Sequence, residues 1–342
     1  MDPLLLVTIL SVVILAFGIG SNDETFSPVV GAGTLSVRKA AMIGGILAIV
    51  GTVFLARNVG ETIGTNLLAG DIKENYDLFM LLAVVLATAL LMVLGSSFGL
   101  PLSTTHVVVS AMLGIAVAYS LQTGELFTTY LNPVTFLEII LSWIISPLLG
   151  YFGAWGTYLL MQKYVYKRIK GLDDVDRTER YASFALLTTV IVTQLSRGGN
   201  DAAKATGILY WLAADGGISS ADLEFYVWIV AIAMGLGLFI IGRKVLRRVG
   251  TSLVELRPTS AFSLQLFVAI ILCVCTIWGL PLSGTHMLIF AMLGIRRGQE
   301  MGMEKQQRRA LRRILFGWGI TFPLGIICSA GIYNLLEFFK FA

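Results

Sequence analysis

The sequence predicts an all-α polytopic membrane protein made of two inverted-topology repeats, with discontinuous helices and two helical hairpins. Three observations lead there. The 342-residue chain is 56% hydrophobic and 13% charged, with a mean hydropathy of +0.81, whereas a soluble domain carries about one charged residue in four. Apolar runs long enough to cross a bilayer recur along its length. Two stretches 180 residues apart are nearly the same text: GLPLSTTHVVVSAMLGI at 99–115 and GLPLSGTHMLIFAMLGI at 279–295.

Taken in order, the apolar runs are 4–19, 40–56, 77–95, 133–161, 181–195, 223–241, 261–278 and 313–336. The chain opens Met-Asp-Pro with no basic region and no small-residue cleavage site, so 4–19 is expected to be a membrane segment and not a signal peptide. The formal net charge of +4 comes from short basic loops and implies no nucleic-acid partner. Cys273, Cys275 and Cys328 fall inside apolar runs, where thiols serve packing and not a disulfide framework.

Positive charge sets the orientation. Lys163 to Arg180, Arg243 to Arg257, Arg296 to Arg313 and the smaller Arg38-Lys39 pair are the basic clusters, and short basic loops stay cytoplasmic. Loops 58–76, 121–132 and 213–222 are poorer in Lys and Arg and are expected outside, with both termini extracytoplasmic, in a plasma or inner membrane. Residues 4–34 then run inward and 181–212 run outward, so the two halves are inverted, as in many secondary transporters. The expected units are 1–162, the first repeat; 163–180, a cytoplasmic linker; and 181–342, the second repeat.

The duplication reaches further than the hairpins. Gly20-Ser21-Asn22-Asp23 in one half answers Gly199-Asn200-Asp201 in the other. Asn22 precedes His106 by 84 residues and Asn200 precedes His286 by 86. Each motif sits within about thirty residues, roughly 45 Å of helix against a hydrocarbon core of about 30 Å. Gly18, Gly20 and Pro28, or Gly198 and Gly199, would break a helix there. Both crossings are therefore expected to unwind at Asn-Asp, where exposed backbone is tolerated only if it lines a cavity or holds a ligand.

The GLPLS segments, 77–120 and 261–295, each read as a hairpin turning at Gly-Leu-Pro, either at the far surface or at the midplane. Ser103-Thr104-Thr105 and Ser283-Gly284-Thr285 follow the turns and carry N-cap chemistry. A helix starting there aims free N–H groups and its positive dipole end at the turn. Two such starts entering from opposite sides would form a donor cage for an oxyanion. Asp23 and Asp201 at membrane depth mark an ion or proton path. The Asn and Asp oxygens of Asn22, Asp23, Asn200 and Asp201 suit a hard cation such as sodium. The expected anion contacts are Ser103, Thr104, Thr105, Ser283, Gly284, Thr285, Asp23 and Asp201.

The duplicated Gly-x-Asn-Asp motif with paired GLPLSxTH segments resembles the inorganic phosphate transporter (PiT) family, whose eukaryotic members are sodium–phosphate symporters. The resemblance covers nearly the whole chain. It implies phosphate symport with a cation, commonly sodium and sometimes a proton, on an inverted-repeat fold that is often a homodimer. By similarity, Asn22, Asp23, Asn200 and Asp201 hold the coupling-ion positions and the two Ser/Thr segments face phosphate. The family signature continues Asp-Val-Ala-Asn-Ala after its first asparagine. Here the second asparagine is replaced by Phe26 in one copy and Lys204 in the other.

Other readings stand beside this one. Family relatives also carry sulfate; phosphate keeps a proton that it can donate to Asp23 or Asp201, and sulfate does not. A proton-coupled oxyanion permease, an anion channel, and an intramembrane hydrolase pairing Ser103 with His106 or Ser283 with His286 are the alternatives. The hydrolase is the weaker, because duplicating a nucleophile–base pair has no use in one catalytic centre; the expectation is a transporter and not an enzyme. His106 and His286 read as neutral buried groups tying the hairpins together. Arg197 reads equally as a partner for an acid or as an anion contact, and Glu24 and Glu61 as extra ion ligands or interface groups.

Overall fold

The computed structural model describes residues 3–56, 67–214, 217–277 and 282–340. These residues are almost wholly helical. In chain order the helices are α1 (Pro3–Ser21), α2 (Ser27–Gly31), α3 (Val37–Leu55), α4 (Asp71–Glu74), α5 (Leu78–Ser97), α6 (Thr104–Thr123) and α7 (Pro133–Tyr164). There follow α8 (Leu172–Ala214), α9 (Ser220–Gly237), α10 (Arg243–Ser252), α11 (Pro258–Ile277), α12 (Gly284–Gly298) and α13 (Lys305–Lys340). A π-turn over Leu238–Gly242 carries α9 into α10. Among the described residues, seven helices are long and apolar enough to cross a membrane. The chain is a multi-pass membrane protein.

Local chemistry explains where the helices begin. Ser36, Asp77 and Ser219 each accept a backbone N–H from three residues on, capping α3, α5 and α9. Asn132 caps α7 with Pro133 at its first position, where the missing N–H costs nothing. Large apolar side chains on the outer faces of α1, α7 and α13, among them Leu10, Ile14, Leu141, Phe152, Phe316 and Ile327, are exposed on the molecule. That is the expected finish for surfaces that meet lipid tails.

The principal helix contacts come in matched pairs. If α1 is set beside α8, α3 beside α9, α5–α6 beside α11–α12 and α7 beside α13, the most extensive contacts in one half have counterparts in the other, although α8 also packs on α9 with no α1–α3 contact of matching extent. α1 packs on α9 as α8 packs on α3, α1 on α5 as α8 on α11, and α6 on α13 as α12 on α7. The halves are therefore interlocked, with each contributing helices to the other's packing.

The first motif crossing is broken as its sequence predicts. α1 ends at Ser21, residues 22–26 are not helical, and α2 restarts at Ser27 with Pro28 in its first turn. The second motif corrects the expectation. α8 runs unbroken for 43 residues through Gly198-Gly199-Asn200-Asp201. Its glycines serve close approach instead of unwinding. A Cβ at Gly199 would sit 2.5 Å from the Leu55 side chain, and one at Gly51 would sit 2.4 Å from the Leu195 carbonyl. The α3 and α8 backbones touch here, the arrangement small residues permit between membrane helices.

α7 ends at Tyr164 and α8 starts at Leu172, so residues 163–180 comprise the last two residues of α7, a short connection and the first turns of α8. The second Gly279-Leu280-Pro281 turn, Glu61 and residues 58–66 of the 58–76 loop lie outside the described residues.

Candidate functional site

The site begins where the break after α1 meets the turn between α5 and α6. Asn22 is buried and reads the backbone of Leu102 on both sides. Its Nδ2 donates to the Leu102 carbonyl at 2.5 Å, and its Oδ1 accepts the Leu102 N–H at 3.2 Å. The same oxygen accepts the Ser96 hydroxyl at 3.1 Å. Pro101 of this turn offers its carbonyl to the Trp318 indole N–H at 2.7 Å. Asn22 thus locks the turn to the broken helix, and Ser96 is a partner the sequence reading missed.

Ser103 follows Leu102 and is the N-cap of α6, its Oγ accepting the His106 N–H at 3.3 Å. Ser283 does the same for α12, accepting the His286 N–H at 3.2 Å. The two caps meet: the Ser283 hydroxyl donates to Ser103 Oγ at 3.0 Å. Ser146 of α7 accepts the Ser283 N–H at 3.1 Å, and Thr285 reaches the Leu102 carbonyl at 3.4 Å. Two helix N-termini from the two halves therefore converge on one buried point, each presenting positive dipole and donors. Thr104 opens α6 and is buried; Thr105 is half-buried, as is Gly284, which opens α12.

Arg197 occupies the centre of the charged part. Its Nη1 donates to Glu24 Oε1 at 2.6 Å and to Thr25 Oγ1 at 3.1 Å, and lies 3.8 Å from Asp23 Oδ1. Its Nη2 lies 3.3 Å from Asp201 Oδ2. Lys204 closes the other side of Asp201 at 2.6 Å. Asp23 is held further by Thr25, whose N–H and hydroxyl donate to Oδ1 at 2.9 and 2.6 Å, and by Gln194, whose Nε2 donates to Oδ2 at 2.5 Å. As ionised groups, three carboxylates surround two cations, leaving one negative charge in excess. Glu24 Oε2 and Gln194 Oε1 are buried without a hydrogen-bond partner among the described residues.

The two parts touch at Gly284. A Cβ on that residue would come 3.2 Å from Arg197 Nε and 3.3 Å from Cζ. The guanidinium therefore lies over the first residue of α12, in space that a side chain would fill. This accounts physically for the mismatch between Thr104 and Gly284 in the duplicated text.

The structure thus gathers Asn22, Asp23, Ser103, Ser283, Gly284, Thr285 and Asp201 into one connected cluster. Asn200 is half-buried on α8 beside Asp201. Sequence reasoning underrated Arg197 and Glu24 and missed Thr25 and Gln194. An arginine just beyond the 181–195 apolar run and beside the Gly198-Gly199-Asn200-Asp201 motif was the available signal, since ionisable residues in membrane helices face a bundle interior and find partners. Among the described residues no group of three His, Cys, Asp or Glu is arranged to hold a metal ion.

The histidines are packing groups in this arrangement. His106 stacks on Trp143 with ring centroids 4.4 Å apart, and His286 lies 4.1 Å from Trp318. The two histidine rings stand edge to face at 6.0 Å. Neither ring is the partner of a serine hydroxyl, since the serines bond the histidines' backbone N–H groups instead. A serine–histidine hydrolase geometry is not formed.

A sequence model described as the phosphate transporter family matches residues 17–329. The chain belongs to that family. Relatives extend over nearly all of it. A Pyrococcus furiosus protein that carries the name phosphate permease is 25% identical across 98% of this chain and 97% of its own. A Bacillus subtilis protein described as a low-affinity inorganic phosphate transporter is 27% identical across 98% and 99%. The chloroplastic inorganic phosphate transporter 2-1 of Arabidopsis thaliana is 22% identical across 91% of this chain and 68% of its own. A solved structure entitled the sodium-dependent phosphate transporter superposes with a TM-score of 0.83 at 23% identity, covering 98% and 99% of the two chains. The two share a fold. Members of the phosphate transporter family are transporters and not enzymes, so the serine–histidine alternative is set aside on that ground as well.

Proposed function

We propose that this member of the phosphate transporter family imports inorganic phosphate by symport with sodium, through alternating access around one site built from both halves. The observation that carries the reading is the 3.0 Å contact between the N-cap hydroxyls of Ser103 and Ser283. An anion inserted between these helix starts would receive backbone N–H groups and hydroxyls from both, without stripping Arg197 of its carboxylates. Ser103, Thr104, Thr105, Ser283, Gly284 and Thr285 form its shell. Asp23 and Asp201 lie on the acidic side, where the proton that phosphate retains finds an acceptor and fully ionised sulfate meets repulsion.

The donor set for sodium is a matter of oxygen supply. Of the four candidates Asn22, Asp23, Asn200 and Asp201, the first pair lies in an unwound segment, where carbonyls are free to turn toward a cation. The unpaired oxygens of Glu24 and Gln194 lie on residues that bond Arg197 and Asp23 respectively. Hard oxygen donors of this kind suit sodium. Asp201, by contrast, already has both oxygens engaged by side-chain cations. Sodium at the first break would offset the excess negative charge and favour the anion's arrival, and the anion would favour sodium in return.

The reciprocal helix contacts support a pair of repeats, and the placement of the basic clusters favours an inverted arrangement with those clusters cytoplasmic and both termini outside. An even pairing of helices around a central site is the usual frame for rocking one bundle against another. The resemblance favours a homodimer, and the lipid-facing apolar surfaces accommodate one.

The test is uptake of labelled phosphate into proteoliposomes under imposed sodium or proton gradients, with sulfate as competitor. Sodium-driven accumulation against a phosphate gradient that sulfate does not block is the expected result. Accumulation driven by a proton gradient alone would replace sodium with a proton. Equilibration without accumulation would indicate a channel.

A further inference from the structure

A second basic feature lies away from the central cluster. A cavity of about 630 Å³ is lined by Arg38 of α3, by Arg243, Lys244, Arg247 and Arg248 of α10, and by the α5–α6 turn at Gly99. Among the described residues no carboxylate lines it. None of these five cations is ion-paired to a carboxylate among the described residues. α10 is shaped for this: Val245, Leu246 and Val249 are fully buried on one face, while its basic residues turn to the other. A preference for cytoplasmic positive charge explains the sign of these residues. It does not explain why five of them converge on one concave surface with no counter-charge, where their mutual repulsion is relieved by a multivalent anion.

The cavity is tied mechanically to the central site. Lys244 Nζ donates to the Ser97 carbonyl at 3.3 Å, and Arg248 Nη1 donates to the Phe98 carbonyl. These carbonyls belong to the end of α5, where positive charge is favourable. Four residues beyond Phe98 is Leu102, gripped by Asn22, and then the Ser103 cap. An oxyanion in the cavity would compete for the same guanidinium and ammonium donors and release the turn that positions Ser103.

We infer that this cavity is a second oxyanion site for a phosphate-type group, either free phosphate or the headgroup of an anionic lipid, and that its occupancy slows transport by loosening the α5–α6 turn. The inference rests on the transport reading and on its placement of α10 in the cytoplasm. It predicts that transport is regulated by anion on the side to which phosphate is delivered.

Binding and transport are measured separately. Inorganic phosphate binding to the full-length protein in detergent, with Ser103→Ala and Ser283→Ala disabling the central site, should persist and then weaken about fivefold for each cation removed in the added Arg38→Gln, Arg247→Gln double variant. Both side chains are exposed and make no hydrogen bond to another described residue, and a thermal melt verifies that the double variant remains folded. In proteoliposomes, initial uptake by the otherwise native protein should slow as internal phosphate or the fraction of anionic lipid is raised, and R38Q/R247Q should lose the response. Sensitivity to internal phosphate names free anion as the ligand; sensitivity to lipid alone names the headgroup. An unchanged response to both in R38Q/R247Q would overturn the inference while leaving the transport reading intact. Absence of uptake in the native protein would remove the transport reading, with phosphate binding to the cavity still readable in detergent.

Discussion

The hydroxyls of Ser103 and Ser283 are hydrogen-bonded at 3.0 Å although 180 residues separate them, and each also caps the helix that follows it. Replacing either by Ala removes a cap worth about 1 kcal/mol and a donor to the anion. Each single variant should raise the KM for phosphate roughly tenfold, the size of one lost hydrogen bond to a charged group, with only a small drop in Tm. An unchanged KM in both variants would exclude this point as the anion site.

Arg197 stabilises Glu24, which is fully buried. Arg197→Gln leaves that carboxylate unpaired and should destabilise the fold by about 3–5 kcal/mol, read as a lowered unfolding temperature in detergent. Adding Glu24→Gln removes the stranded charge. The double variant should recover part of the loss, and a double variant less stable than Arg197→Gln would show that the pair is not coupled.

Gly284→Thr restores the duplicated text to the form of the first copy. The new Cβ would press on Arg197, whose Nε lies 3.2 Å from its position. Phosphate uptake should fall severalfold while expression and oligomeric behaviour in detergent are kept. Gly284→Ala should fall between the two. Equal uptake across Gly, Ala and Thr would show that the guanidinium has room to move at no cost.

Lys204 places its ammonium 2.6 Å from Asp201. Lys204→Met frees one Asp201 oxygen from its cation and should steepen the dependence of uptake on sodium concentration, whereas Lys204→Arg should retain the native curve. A sodium titration of initial rates checks both. Identical curves for Met and Lys would mean that this pair is structural alone.

Asp23 and Asp201 separate coupling from anion contact. Asp23→Asn or Asp201→Asn should reduce sodium-dependent uptake more than Thr104→Ala does. Sodium-dependent transport at the native level in the double aspartate variant would eliminate both carboxylates from coupling.

Much of this was legible in the chain. Hydropathy located six of the seven long apolar helices found among the described residues, α6 being the one absent from the apolar runs; the duplicated text marked Ser103 and Ser283 as helix caps, and the Gly18, Gly20 and Pro28 set marked a real break after Ser21. The same reasoning failed at Gly198 and Gly199, because glycine weakens a helix only when nothing else is gained from it. Here the missing Cβ atoms allow α3 to approach α8. Nothing in the linear text distinguishes a glycine that bends from one that permits contact. Gln194 and Thr25 were likewise silent, since their importance lies in facing Asp23 and, for Thr25, Arg197 as well.

The sequence by itself determined the solvent, the helical class and the duplication, because apolar length and repeated motifs are properties of the chain read locally. Tertiary structure alone decided what the duplication does. The two copies share their caps but not their charges: Asp23 and Glu24 face Arg197 across 174 and 173 residues, while Asp201 meets Arg197 and Lys204 within about one helical turn. Coulomb energy and burial depend on distance in space, so the inequality of two halves that carry the same motifs emerges only when they pack together.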